Sequence, residues 1–190
     1  MARKFSDVKE IVKTIPDNVK VVLLGECTHG TEEFYQLRAD ITKYLIRHRR
    51  FSVVVCESDW PFMYHVNQYV QRKKINPYPK EKDGGRFPQW MWHNKPFLDL
   101  VNWMRQQGDC SVFGMDCYCK EESMAEVCKI LKRRGENDMA LRVSGANPEE
   151  WPVLLSRIQH AHEASASASS SAVGLSKAVE EKFGTKFSGT

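Results

Sequence analysis

Three short apolar runs separated by helix-patterned segments predict an α/β protein with a parallel sheet flanked by helices. The runs lie at 20–24 (KVVLL), 51–56 (FSVVVC) and 110–118 (CSVFGMDCY). Continuous apolar runs of this length suit strands covered on both faces. The intervening stretches are long enough for the right-handed crossovers that parallel neighbours require.

Taken in order, Phe5, Val8, Ile11 and Val12 fall at helical spacing until Pro16-Asp17-Asn18 breaks the pattern, so a short helix leads into a first strand at 20–24. From Thr31 to near Arg50, Phe34, Leu37, Ile41, Tyr44 and Leu45 share one helix face. The second strand at 51–56 runs into Glu57-Ser58-Asp59-Trp60-Pro61, where Ser58 and Asp59 are candidate caps of a helix through Tyr64, Val66 and Val70. Residues 74–88 (KINPYPKEKDGGRFP) hold three prolines and two glycines and predict a loop long enough to act as a lid. One or two helices follow, with Phe97, Leu100, Val101 and Met104 facing inward, before the third strand. Beyond about residue 135 the pattern weakens to a helix with a polar loop. The Ala/Ser tract HEASASASSSAVG then predicts a poorly ordered or loosely attached stretch over 162–190. The expected division is an α/β domain at 1–135 and a divergent tail at 136–190.

The 190 residues carry a net charge of +4 with basic residues spread along the chain. The local runs at 47–50, 72–74 and 132–134 read as solvated helix ends, which argues against nucleic-acid binding. There is no apolar stretch of about 18 residues and no leader pattern, so a cytoplasmic protein with no membrane partner is expected. Six cysteines at 27, 56, 110, 117, 119 and 128 then read as reduced thiols. Cys117 and Cys119 lack the second ligand pair of a zinc site.

In open parallel sheets the chemistry collects at the carboxyl ends of the strands. Here the first run ends in Glu26 and His29, the second in Glu57 and the third in Asp116. An imidazole oriented by a carboxylate acts as a general base toward water. Arg38 lies seven residues after Thr31, two turns along the same helix, placed to stabilise an oxyanion or orient a carboxylate. No G-x-S-x-G elbow or phosphate-cradling glycine loop is present. Trp90 and Trp92 follow the Pro/Gly loop and are candidates to line an apolar pocket. Two carboxylates and an imidazole also make a ligand set, so Glu26, His29 and Glu57 stand as an alternative metal or haem site.

The segments GECTHGTEEFYQLRADITKYLI (25–46), FSVVVCESDWPFMYHVNQYV (51–70), RFPQWMWHNKPFLDLVNWMR (86–105) and VFGMDCY (112–118) together resemble the erythromycin esterase family. The resemblance implies a hydrolase that opens macrolide lactones or related esters with activated water; no cofactor or metal is expected. It implies His29 as general base, with Glu26, Glu57 and Arg38 as further catalytic residues. Glu33 and Arg86 match other positions at or near the family site and, with Trp90, Trp92 and Asp116, form the expected substrate-binding set. Family members are about twice this length, and their second half adds another histidine and arginine to the site. The resemblance therefore implies a truncated fold, with a catalytically inactive relative as a further alternative.

Overall fold

A computed structural model describes residues 7–79 and 88–168, which form seven helices and a two-stranded parallel sheet. The α/β class therefore stands. The chain divides into two units, Met1–Ser123 and Met124–Thr190.

In the first unit, helix α1 (Val8–Lys13) starts at Asp7, whose Oδ1 accepts the Glu10 N–H at 2.8 Å. Its Val12 packs with Ile41 and Leu45 of helix α2 (Glu32–Arg49). Arg49, at the end of α2, donates to the carbonyls of Val12, Ile15 and Pro16 and tethers the two helices.

The expected first strand at 20–24 does not form. The segment alternates, with Val22 and Leu24 packed on the α1–α2 cluster, whereas Val21 is 49% and Leu23 90% exposed. One face is covered and, among the described residues, no neighbouring strand supplies a ladder, so this apolar run stays irregular.

Strand β1 (Val53–Asp59) extends three residues beyond the 51–56 run and absorbs Glu57, Ser58 and Asp59. It pairs in parallel with strand β2 (Ser111–Asp116), Val53 facing Ser111 and Cys56 facing Gly114, with an irregularity before Asp59 meets Asp116. Between them run helix α3 (Trp60–Val70), the short 3₁₀ turn Gln89–Trp92 and helix α4 (Lys95–Gln107). Pro61 opens α3, where its missing N–H costs nothing. Asn94 caps α4 by accepting the Phe97 N–H, and Gly108 ends it in the left-handed region at φ 86°. Phe97, Leu100, Val101 and Met104 all face the core as their spacing predicts, against Phe62, Met63, Val66 and Val70 of α3 and Val112 of β2. Each such side chain contributes about 1.5–3 kcal/mol on burial. Asn67 joins helix to sheet by accepting the Val112 N–H at 3.1 Å. The other side of the sheet leaves Val55 and Met115 exposed. Part of the expected loop at 74–88 lies outside the described residues.

Helix α5 (Lys120–Arg133) crosses the boundary between the units. Within the second unit its Met124, Cys128 and Leu131 cluster with Ala140 and Val143 of helix α6 (Asn137–Gly145), and Trp151, Leu154 and Ile158 of helix α7 (Trp151–Ala168) pack on that cluster. Of the stretch expected to be loose, 162–168 complete α7, and 169–190 lie outside the described residues.

The close approach of the strands depends on Gly114. A Cβ there would lie 2.4 Å from the Ser58 carbonyl oxygen and 2.6 Å from that of Asp59, both backbone atoms without room to yield. Gly114→Ala is expected to destabilise the protein by about 1–3 kcal/mol or more in urea unfolding. Wild-type stability in that variant would show that the strands tolerate separation.

Candidate active site

The loop between the segment at 20–24 and α2 carries Glu26 and His29, and the turn Thr28-His29-Gly30 swings the imidazole back toward Glu26. Glu26 Oε1 lies 2.6 Å from His29 Nδ1, and Oε2 lies 2.5 Å from Arg38 Nη2. The glutamate side chain is only 8% exposed and that of His29 38%. Oε2 and Nη2 are shut off from solvent and meet outside hydrogen-bonding angles, so their contact is an ion pair rather than a directional bond. Burying an unpaired carboxylate would cost several kcal/mol, and Arg38 offsets that cost. The imidazole contact is directional. With Nδ1–H donated to the carboxylate, Nε2 is the basic nitrogen.

Two aromatic residues enclose the Arg38 guanidinium. Its Cζ lies 4.6 Å from the centre of the Tyr35 ring and 5.7 Å from that of Trp92, and the two rings meet edge to face. The Tyr35 hydroxyl donates to the His29 carbonyl at 3.1 Å. Burial raises the Tyr35 pKa, Glu26 and Glu57 raise it further, and Arg38 works against them by charge and hydrogen bond. The phenol therefore stays neutral, within electrostatic reach of both carboxylates. Trp92 donates its Nε1–H to the Glu57 carbonyl at 3.0 Å and accepts the Tyr78 hydroxyl, which fastens this group to the end of β1.

At the sheet's carboxyl end Glu57 points to the exposed side, and among the described residues its carboxylate forms no hydrogen bond or ion pair. Asp116 closes β2 nearby. Burial, then the charges of Glu57 and Asp59, push its pKa up. Asp59 corrects the capping expectation: fully buried, it leaves α3 without a side-chain cap and instead accepts the N–H groups of Tyr118 (2.6 Å) and Cys119 (3.2 Å). Ser58 is likewise buried and caps nothing.

The structure thus brings Glu26, His29 and Arg38 into direct contact and joins them to Glu57 through Tyr35 and Trp92. Glu33 is exposed on the first turn of α2 with no hydrogen bond or ion pair among the described residues, and Trp90 is 46% exposed. Arg86 lies outside the described residues. The alternative ligand set of Glu26, His29 and Glu57 is not assembled, because both Glu26 oxygens are held by His29 and Arg38. Among the described residues no three His, Cys, Asp or Glu side chains gather as a metal site. Burial drives the Cys56 thiol up to about 12, so it packs as an inert side chain. Sequence reading missed Tyr35. Its signal was the i, i+3 spacing from Arg38, which puts phenol and guanidinium on one helix face.

The family model described as Erythromycin esterase matches residues 46–183, about three quarters of the chain. This chain belongs to the erythromycin esterase family. The match includes Glu57, Trp92 and Asp116 but begins after Glu26, His29, Tyr35 and Arg38. It continues through the helices that follow Lys120, where the resemblance in the quoted motifs had faded. A crystal structure of a Bacillus cereus protein is similar at 27% identity over 57% of this chain and 27% of its own length, with a TM-score of 0.46. This family member thus spans about a quarter of that protein. No helix among the described residues is long and apolar enough to cross a membrane.

A carboxyl whose pKa rises on folding favours the folded state while protonated, and that contribution is lost as pH rises through the raised value. Asp116→Asn is therefore expected to stabilise the protein at neutral pH by about 0.2–1 kcal/mol, because solvent screens the repulsion from Glu57 and Asp59. The gain should vanish in acid. Thermal melts at about pH 7 and about pH 3 check this, and an equal effect at both would rule out charge repulsion as the cause.

Proposed function

We propose that this chain carries a hydrolytic site in which His29 activates water against an ester or lactone carbonyl, with a macrolide lactone as the substrate class that its family suggests. The observation that carries the reading is the contact of the buried Glu26 carboxylate with His29 Nδ1, which fixes the tautomer a general base requires.

In this reading His29 Nε2 takes a proton from water as the water oxygen bonds to the carbonyl carbon. The Glu26 carboxylate stabilises the imidazolium so formed. Arg38, positive and fixed between two rings, supplies the electrostatic field that favours the developing oxyanion. When the tetrahedral intermediate collapses, the carbon–oxygen bond to the alkoxide breaks and the imidazolium returns its proton to the leaving oxygen. Glu57 and Asp116, at the adjoining strand ends, orient the substrate's hydroxyl groups.

Hydrolysis of a macrolide lactone and of simple aryl esters by the purified chain tests the proposal. His29→Ala is expected to lower kcat by about 10²–10⁴-fold with the melting temperature little changed, since the side chain is partly exposed. A folded wild-type protein that hydrolyses neither substrate, or a His29→Ala protein of equal activity, would contradict it.

A further inference from the structure

Four contacts around the candidate base close into a ring. His29 Nδ1 meets Glu26 Oε1, Glu26 Oε2 meets Arg38 Nη2, the Arg38 guanidinium lies over the Tyr35 ring, and the Tyr35 hydroxyl returns to the His29 carbonyl at 3.1 Å. The ring joins two pieces of backbone, the 26–29 loop and the inward face of α2. The last contact ties the helix to the loop backbone directly, beside the link that runs through the long Glu26 and Arg38 side chains, each with several rotatable bonds. The hydroxyl contact fixes the His29 backbone itself, and the Nδ1 contact orients the imidazole on that backbone.

We infer that Tyr35 is a positioning residue for His29: its hydroxyl holds the His29 backbone so that the imidazole keeps its contact with Glu26 and aims Nε2 at the reacting water. It acts through His29 and does not itself touch substrate. The surroundings support this assignment. Tyr35 is buried against Trp92 and Arg38, so its ring is already immobilised before the hydroxyl bond forms, and the bond fixes the loop at little further entropic cost.

Tyr35→Phe in the full chain tests the inference, because it keeps the ring, its packing and its place against the Arg38 guanidinium and deletes the hydroxyl, with its bonds to the His29 carbonyl and to Arg38. In wild type, proton NMR should show the His29 Nδ1 proton far downfield and slow to exchange, assigned by its loss in His29→Ala. In Tyr35→Phe that signal is expected to broaden or disappear through faster exchange while the melting temperature stays within a few degrees of wild type. The kinetic arm rests on the hydrolytic reading: kcat should fall about tenfold, as for one lost positioning hydrogen bond, with KM unchanged. An unaltered Nδ1 signal overturns the inference, and so does a variant that fails to fold, which would make the hydroxyl structural. If wild type hydrolyses nothing yet the Nδ1 signal responds as expected, the hydrolytic reading fails and the positioning role stands.

Discussion

Glu26 sits where water barely reaches it, and a carboxylate so placed must be compensated from within the protein. Arg38 supplies the charge, and this need explains several features of the first unit at once. Helix α2 has to begin immediately after the His29 loop so that its second turn returns a guanidinium to Glu26, and Thr31 marks that start. The helix is then held by the burial of Tyr35, Ala39, Ile41 and Leu45, and at its far end by the grip of Arg49 on the carbonyls of Val12 in α1 and Ile15 just after it. Arg38 in turn leaves water at a cost of its own, offset by the faces of Tyr35 and Trp92.

The sheet serves the same end from the other side. Gly114 lets β2 approach the β1 backbone at Ser58 and Asp59, and the irregular register there carries Asp59 beneath the turn that follows β2. By binding two N–H groups of that turn, Asp59 sets Asp116 close enough to Glu57 for each charge to oppose the other. Trp92 completes the link, with its indole N–H on the Glu57 carbonyl and its ring beside Arg38. A strand end, a 3₁₀ turn and a helix face thereby meet through side chains that are mostly buried. Such a setting holds donors and charges in place before a substrate arrives.

Much of this was legible in the sequence, and the exceptions have physical causes. The inward stripe of α4 and the existence of the helix from Thr31 follow from spacing, because 3.6-residue periodicity survives any arrangement of neighbours, but the expected face of that helix is turned: Leu37 is exposed while Tyr35 and Ala39 are buried. The run at 20–24 misled because apolar content reports burial while strand formation also needs a partner, and Leu23 faces solvent. Asp59 looked like a helix cap by type and position, yet a backbone turn distant in sequence offered it two better donors. Within the site, Glu26 and His29 stand out because polar residues directly after an apolar run are unusual, and Arg38 because it lies two helical turns after Thr31. Tyr35 does not, since an aromatic on a buried helix face looks like packing until its hydroxyl is seen to reach the His29 carbonyl.

In the proposed mechanism the Glu26-oriented imidazole directs water itself at the carbonyl, and no side chain becomes acylated. A single turnover of an ester in ¹⁸O-labelled water, followed by mass analysis of both product and protein, tests it most directly. The account predicts one ¹⁸O atom in the released acid and none in the peptides that contain Glu26, Glu57 or Asp116. Label in any of those carboxylates, or an acyl group trapped on the chain, would contradict it.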